Sequence, residues 1–382
     1  MIKNLFKLNI LILAVAISPK LFSQKLQVEF LRNFCLDSSE YSTNNTIYEV
    51  FGNEIYYATS EGSALKIFKK DTQGDKNVFF LKKNIKDYFL DFTIDSSGSF
   101  FLLFQTKLVK YQLNDENSIV SYKDIVAEAP LNLSYDNVYC TSGKIVLTRC
   151  YNYATLEKDT LFAEFSLFDR TNLQLVYTKK IVHDAIGFTH LSSYFMDVNY
   201  GKVLLVNALK NKAYIFNINE RMSEDSAGDG AYLNKNISEI PFPTQIIPYT
   251  NPKAMVRDVS TFAKKIDRYE GGRFVNDSTL ILVKKNKGKS INGKRTISVY
   301  QLNDSIGNWE FKSNKTFKNK MISGRYGIFN FYYPTHLKIH NNHVYLSEAY
   351  FLKTNVSKRK LKRAYMREDN LKVGLYEYFL AI

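Results

Sequence analysis

The sequence repeats one local pattern about six times. An apolar run rich in β-branched and aromatic residues meets a two-residue turn, then a second apolar run, a polar stretch and a third run that ends in an aromatic residue. The six turns are Gly52-Asn53, Ser97-Gly98, Ser142-Gly143, Tyr200-Gly201, Asp277-Ser278 and Asn341-Asn342. Most of these residue types tolerate positive φ, which tight turns between antiparallel strands require. Repeats of this length that consist of strands alone are typical of propeller blades.

We therefore predict an all-β fold, a six-bladed β-propeller with four-stranded antiparallel blades. The second unit is the clearest, with strands expected over residues 91–95, 100–104 and 108–111. Residues 26–34 and 373–380, at the two ends of the chain, also have strand patterns. We expect these two strands to share one blade, because mixing the ends closes the ring and removes exposed edges.

Residues 1–23 have the pattern of an export signal. Lys3 and Lys7 give a basic start, residues 8–17 an apolar core, and Leu21-Phe22-Ser23 a plausible cleavage site before Gln24. That core is shorter than the roughly 20 residues that span a bilayer, so an uncleaved anchor is the less favoured alternative. We predict a signal peptide over 1–23, a propeller over 24–382 and no transmembrane segment in the mature chain. The predicted location is the periplasm or the cell surface and exterior, and the choice between them stays open.

An irregular insert is predicted at residues 220–270. The strand pattern is lost there, and Pro241, Pro243, Pro248 and Pro252 fall close together. Long inserts on rigid scaffolds commonly carry function. The alternative is a loop that covers a blade edge.

A short phrase in the second unit supports a family resemblance. Asp91, Asp95, Gly98 and Phe100 form Asp-x-x-x-Asp-x-x-Gly-x-aromatic. With the export signal and the six turns, the chain resembles the exported six-bladed β-propeller proteins of Bacteroidota, which are similar in outline to NHL- and TolB-like propellers. The resemblance covers roughly residues 25–382. It implies a fold and an envelope location but supplies no catalytic residues.

The charge of the chain is strongly positive. It has 52 Lys and Arg against 37 Asp and Glu, a net charge of +15, which loss of the signal would lower by three. Excess positive charge attracts polyanions. For an exported protein we expect an acidic glycan or an acidic envelope protein as partner, and no nucleic acid. The alternative is drift in composition, and the oligomeric state stays open.

Two basic runs are the candidate binding residues. They are Lys284, Lys285, Lys287, Lys289, Lys294 and Arg295 in the fifth unit, and Lys358, Arg359, Lys360 and Arg363 in the sixth. Loops of neighbouring blades could place both runs on one side of the disc as a cationic rim. The alternative is a pair of solvated, charge-rich loops.

The three cysteines do not predict a disulfide framework, because their number is odd. A hairpin that turns at Ser142-Gly143 would place Cys140 opposite Ile145, which leaves Cys150 further along the strand. We favour buried cysteines that act as small apolar residues. Pairing of Cys140 with Cys150 is the alternative.

Candidate metal ligands are scattered along the chain. His336, His340 and His343 are close in sequence, but no acid is placed to complete a site with them. Six-bladed lactonases hold a metal in the central channel with one Glu, one or two Asn and one Asp. The candidates for such ligands are Glu49, Asp91, Asn137, Asp197 and Asn276. These residue types also cap turns, and we favour that role.

The sequence therefore favours an exported, non-enzymatic binding or interaction scaffold of the bacterial cell envelope, without catalytic residues, metal or cofactor. The expected ligand is anionic, either a glycan or an acidic protein. The alternative is a metal-dependent hydrolase of the lactonase type that uses the central channel. A propeller suits the first function because its rigid disc binds without moving parts.

Overall fold

The computed structural model describes residues 26–36, 47–61, 64–70, 76–82, 87–112, 125–141, 143–150, 160–184, 194–207, 212–218, 237–241, 268–285, 294–303, 305, 307–318, 325–328, 337–352 and 371–381. These residues form strands and the turns between them, and no helix occurs among them. The fold is all-β, as predicted.

The chain begins with β1 (Gln27–Leu36) and continues with five four-stranded antiparallel meanders. Blade 1 is β2 (Ile47–Phe51), β3 (Glu54–Glu61), β4 (Ala64–Lys69) and β5 (Lys76–Lys82). Blade 2 is β6 (Phe89–Ile94), β7 (Ser99–Phe104), β8 (Lys107–Gln112) and β9 (Ile125–Pro130). Blade 3 is β10 (Asn137–Thr141), β11 (Lys144–Cys150), β12 (Thr160–Asp169) and β13 (Leu175–Asp184).

Blade 4 is β14 (Tyr194–Asn199), β15 (Lys202–Asn207), β16 (Lys212–Asn217) and β17 (Ile237–Pro241). Blade 5 is β18 (Arg268–Asn276), β19 (Thr279–Lys285), β20 (Lys294–Asn303) and β21 (Asn308–Lys318). In each of these five blades the first two strands meet at a turn predicted from the sequence. The sixth predicted hairpin, at Asn341-Asn342 in the last blade, is confirmed as well.

Blade 6 closes the ring with both ends of the chain. It contains β22 (Arg325–Ile328), β23 (Leu337–His340), β24 (His343–Leu352) and β25 (Leu371–Ala381). Strands β23 and β22 pair with successive halves of β24, so two short strands share the innermost position. Strand β25 then pairs with β24 and β1, from Gln27 opposite Ala381 to Leu36 opposite Val373. The predicted closure is confirmed.

A buried carboxylate holds the strands of the closing blade together. The side chain of Glu377 in β25 is 2% exposed. Its Oε2 lies 2.5 Å from Arg32 Nε of β1, and its Oε1 accepts a hydrogen bond from Tyr345 Oη of β24 and lies 2.6 Å from His343 Nδ1. The N-terminal strand is therefore tied to the C-terminal one by an ion pair as well as by backbone hydrogen bonds.

An apolar cluster fills each interface between neighbouring blades. Between blades 1 and 2, for example, Leu65 and Phe79 share a cluster with Phe92 and Phe104. Comparable clusters follow between blades 2 and 3, 3 and 4, 4 and 5, 5 and 6, and 6 and 1. The second strands are apolar almost throughout because both of their faces are covered; every residue of β7 is buried. The described chain is thus a closed ring of six blades.

The structure also bears on the cysteines and the insert. Cys140 lies opposite Ile145, as predicted, and is a free thiol, whereas the side chain of Cys150 lies outside the description. Within the predicted insert at 220–270, β17 completes blade 4 and β18 begins at Arg268. The rest of that insert and the predicted signal peptide lie outside the described residues. The part of the chain that the structure describes contains no helix long and apolar enough to cross a membrane.

Candidate functional site

The innermost strands of the six blades end around a single cavity at one mouth of the central channel. Its volume is about 580 Å³, and every blade contributes to its wall. The wall is made by the ends of the innermost strands, by the turns that follow them and by the turn after β12. Pockets for small ligands commonly have volumes of about 300–1,000 Å³. The channel mouth is therefore the candidate site.

Strand register identifies one channel-facing position in each blade. In blades 1, 3, 4 and 6 it is the residue two places before the last paired residue of the innermost strand. In blade 2 it is one place before that residue, and in blade 5 a bulge after Phe274 moves it to Arg273. The six residues are Glu49, Thr93, Tyr139, Asp197, Arg273 and Lys338, and all of them line the cavity. The ring thus carries two acids, two bases and two hydroxyls.

The acid and the base of blades 4 and 5 form a buried pair. Arg273 Nε lies 3.4 Å from Asp197 Oδ1, and both side chains are 6% exposed. Asp197 Oδ2 accepts the backbone N–H of Phe274, and Arg273 Nη1 donates to the carbonyls of Gly272 and Met196. Burial raises the pKa of Asp197, while Arg273 acts in the opposite direction. The pair joins the two blades with its charges and its hydrogen bonds.

A second pair joins blades 6 and 1. Lys338 Nζ lies 2.9 Å from Glu49 Oε2, and the two side chains are largely buried. Glu49 Oε1 accepts the backbone N–H of Val50. Below this pair, Tyr48 Oη donates to the carbonyl of Tyr345, which adds a hydrogen bond across the same interface. The pair therefore reinforces the interface at which the two ends of the ring meet.

A third pair joins blades 2 and 3, but its base is more open. Arg170 Nη1 lies 3.7 Å from Asp95 Oδ2, and the Arg170 side chain is 38% exposed while Asp95 is 2% exposed. Asp95 Oδ1 accepts hydrogen bonds from the backbone N–H groups of Ser97 and Ser99. Arg170 follows β12 on a turn that Asp169 stabilises by accepting the N–H of Thr171. This guanidinium therefore stands at the rim of the cavity on a fixed turn.

Deeper in blade 2, Asp91 is buried, and none of the described Lys or Arg side chains forms an ion pair with it. Its Oδ2 accepts the backbone N–H of Val138 at 3.0 Å and lies 3.3 Å from Asn137 Nδ2, both in blade 3. Burial raises its pKa from 3.8 to about 6, against the lowering effect of Lys338 and of the N–H of Val138. Asp91 thus connects blades 2 and 3 in the same way as Asp197 connects blades 4 and 5: each carboxylate accepts a backbone N–H from the innermost strand of the next blade.

The proposed lactonase-type metal ligands do not form a cation site in the described channel. Glu49 and Asp197 line the cavity, but each is paired with a base. Asp91 and Asn137 bind each other, and Asn276 Oδ1 accepts the N–H of Ser278 in its turn. Two of the six channel-facing positions are cationic, which disfavours a divalent ion. Within the described ranges no three His, Cys, Asp or Glu side chains converge, so the donor set does not fit.

The histidine group is also divided. His340 lies at the cavity, and burial, assisted by His343, lowers its pKa. His343 lies against Glu377 in the closing blade, whereas His336 is outside the described residues. Cys140 lines the cavity as well, and burial raises the pKa of its thiol to about 11, with Asp95 adding to the effect. A neutral thiol at neutral pH is a poor nucleophile.

The structure places part of the fifth-unit basic run in strands. Lys284 and Lys285 end β19, and Lys294 and Arg295 begin β20. Lys284 is 7% exposed, so its side chain is buried between strands instead of extending into a loop. The remaining predicted binding residues are outside the described residues: Lys287, Lys289, Lys358, Arg359, Lys360 and Arg363. The cationic rim stays a prediction.

No protein-family model and no curated protein matches the sequence. Among solved structures, the chain is similar to the WD40 domain of coronin from Toxoplasma gondii, with 10% identity, 94% of this chain and 87% of that chain covered, and a TM-score of 0.44. It is also similar to a putative 6-phosphogluconolactonase from Bacteroides fragilis, with 10% identity, coverage of 82% and 81%, and a TM-score of 0.37. The periplasmic gluconolactonase of Pseudomonas aeruginosa gives 9% identity, coverage of 82% and 82%, and a TM-score of 0.37. We draw nothing about function from likenesses at this level.

Three bases at the channel mouth were not predicted as site residues. Lys338 and Arg273 lie on innermost strands, and counting back from the turn would have identified Lys338. The bulge in β18 hides Arg273 from the same count. Arg170 reaches the mouth from the turn after β12, and no local pattern marks it.

Proposed function

We propose that this protein is an exported, non-enzymatic binding scaffold of the bacterial cell envelope that takes a polar ligand at the channel mouth. The observation that supports this proposal best is the cavity itself, to which all six blades contribute. A preformed cavity on a rigid scaffold binds with little loss of conformational entropy.

The three ion pairs support rigidity at this place. They connect blades 4 and 5, 6 and 1, and 2 and 3, so every blade takes part in one pair. In each pair the acid also accepts at least one backbone N–H. A rigid cavity wall of this kind suits the binding of a ligand of complementary shape better than a reaction that requires the site to move.

The ligand site can be tested by blocking the mouth with one large side chain. Ser96 is exposed on its turn and lines the cavity, so Ser96→Trp narrows the mouth at little cost in folding. Gln105→Trp is the matched control, because Gln105 is exposed at the other end of blade 2. On an array of defined glycans, we expect binding by the natural protein and by Gln105→Trp, and loss of binding by Ser96→Trp. Undiminished binding by Ser96→Trp would move the site away from the channel.

The basic runs provide a separate test of an anionic partner. If the protein binds heparin, replacing Lys287, Lys289, Arg359 and Lys360 by Glu should lower its affinity for heparin. The affinity of this variant should also depend less on salt concentration. If reversal leaves heparin affinity unchanged, the cationic rim has no part in recognition.

Two further measurements test whether the protein is exported and whether it holds a metal as a hydrolase would. Mass spectrometry of the secreted or periplasmic protein should give a mature chain that begins at Gln24, and retention of Met1 in that fraction would contradict export by cleavage. Elemental analysis of protein purified without chelators addresses the hydrolase alternative. About one tightly held divalent ion per chain would contradict the scaffold proposal and return attention to Glu49 and Asp197.

A further inference from the structure

The acids and the bases at the channel mouth differ in how they are satisfied. Each acid accepts backbone N–H groups: Asp95 from Ser97 and Ser99, Glu49 from Val50, and Asp197 from Phe274. Those bonds do not depend on the paired base. Asp95 has the most such donors, since it also accepts the hydroxyl of Ser97, so it stays hydrogen-bonded when its base moves toward a ligand.

Arg170 is the base with the most freedom to do so. Its contact with Asp95 is 3.7 Å, longer than a hydrogen bond, and 38% of its side chain is exposed. The pairs of Arg273 and Lys338 are shorter and more buried. A guanidinium carries a planar fork of N–H donors that matches the two oxygens of a carboxylate.

The backbone of the turn that carries Arg170 is held by several hydrogen bonds, which fix the position from which its side chain extends. Asp169 Oδ1 accepts the N–H of Thr171 at 2.8 Å, and the carbonyl of Asp169 accepts the N–H of Leu173 at 2.9 Å. Lys110 Nζ of blade 2 donates to the carbonyl of Arg170. A polar group held on such a turn loses little conformational entropy when it binds.

The rest of the wall offers hydroxyl, amide and aromatic groups. They come from Thr93, Ser96, Thr141, Asn199, Tyr139 and Tyr200. Hydroxyls and an amide both donate and accept, which matches the hydroxyls of a sugar, and the two aromatic rings offer apolar faces. Tyr200 is 44% exposed and fixed by its Oη, which donates to the carbonyl of Val275.

We propose that the channel mouth binds an acidic sugar, a uronate, whose carboxylate is held by the Arg170 guanidinium. This inference rests on the proposed function, and it names the chemical class of the ligand at the same site. The ring hydroxyls of the sugar bind the polar wall, and the acids of the mouth keep their backbone partners.

The test is calorimetric titration of the full mature chain with digalacturonate and, in parallel, with neutral digalactose. Arg170→Gln removes the charge while keeping a polar side chain of similar reach. Lys107→Gln is the matched control, because it removes one charge from the opposite end of blade 2. We expect Arg170→Gln to weaken digalacturonate binding about tenfold or more, as loss of a charge-assisted bond should. We expect Lys107→Gln to change it less than about twofold.

The outcomes separate this inference from the scaffold proposal. Equal digalacturonate affinity for Arg170→Gln and the natural protein overturns the role of Arg170. Binding of digalactose as tight as that of digalacturonate, blocked by Ser96→Trp, overturns the acidic ligand but supports the channel-mouth scaffold. Loss of binding in Arg170→Gln with unchanged digalactose affinity supports the inference, and unchanged thermal unfolding shows that the variant is folded.

Discussion

Two ion pairs at the channel mouth have the same chemical groups but different surroundings. Asp197 and Arg273, between blades 4 and 5, are both 6% exposed, and their partners include backbone groups on both sides. Asp95 and Arg170, between blades 2 and 3, combine a buried acid with a base that is 38% exposed. A charge that is fully desolvated depends on its partner, whereas an exposed one is stabilised by water. The first pair therefore acts as a brace, a buried contact that holds two blades together, and the second leaves its guanidinium available for a ligand.

Blades 2 and 3 are also connected by a second buried acid, Asp91. Asp91 accepts the N–H of Val138 across this interface, as Asp197 accepts that of Phe274, but no arginine in the described ranges pairs with Asp91. Burial accordingly raises the pKa of Asp91 to about 6. In blades 2 and 3, the acid that accepts the N–H of the next innermost strand, Asp91, is thus separate from the acid that pairs with an arginine, Asp95. In blades 4 and 5, Asp197 alone does both.

The largest effect should come from breaking the buried pair. Asp197→Ala leaves Arg273 charged and buried and removes the acceptor of the Phe274 N–H, so we expect it to lower the free energy of unfolding by about 3–5 kcal/mol. Asp91→Ala leaves no buried cation without its partner, so we expect it to lower the free energy of unfolding by only about 1–3 kcal/mol. Urea denaturation of both variants measures the two values. Equal costs would show that the arginine adds nothing to the brace.

The pH dependence of stability should follow Asp91. Because its pKa is raised from 3.8 to about 6, its contribution is fully present below pH 4 and is lost as the pH rises to about 6. The shift corresponds to a loss of about 3 kcal/mol between these pH values. Asp91→Asn keeps an acceptor oxygen and should remove this loss, which urea denaturation at pH 4 and pH 7 would measure. A natural protein and an Asp91→Asn variant with parallel pH profiles would contradict the burial of an unpaired carboxyl.

A smaller effect should follow from the amide that serves Asp91. Asn137 Nδ2 lies 3.3 Å from Asp91 Oδ2, a long hydrogen bond, and the residue is half-buried. We expect Asn137→Ala to cost about 1 kcal/mol in unfolding free energy, since the N–H of Val138 still reaches the acid. Asn276→Ala, which removes a turn-capping side chain in blade 5, is the matched control of the same chemical change. A cost for Asn137→Ala as large as that for Asp91→Ala would place the brace in the amide.

The fold was predictable from local chemistry, and the site was not. Turn residues such as Asn341 and Asn342, both at positive φ, mark hairpins directly in the sequence, and the apolar run of β7 marks a strand covered on both faces. The channel-facing set depends on register, which the bulge near Phe274 alters. Arg170 comes from another part of its blade, so its contact with Asp95 is set by the packing of two blades.

The prediction for Lys284 shows the same limit in another way. A run of lysines indicates a solvated loop, yet β19 continues through Lys284 and Lys285 because they pair with Thr296 and Arg295 of β20. Long aliphatic stems allow a lysine to be buried within a sheet. Charge in the sequence therefore identifies a basic region but does not tell which of its members reach solvent.

The most direct test of the account applies one substitution to the two arginines of the channel mouth. Arg273→Met and Arg170→Met both remove a guanidinium and keep an unbranched side chain, and urea denaturation at pH 7 compares their free energies of unfolding. We predict a loss of about 3–5 kcal/mol for Arg273→Met, because Asp197 is left buried without its partner. We predict a loss below about 1 kcal/mol for Arg170→Met, because its guanidinium is partly solvated and Asp95 keeps the N–H groups of Ser97 and Ser99. Equal losses would contradict the division between a bracing pair and a binding arginine.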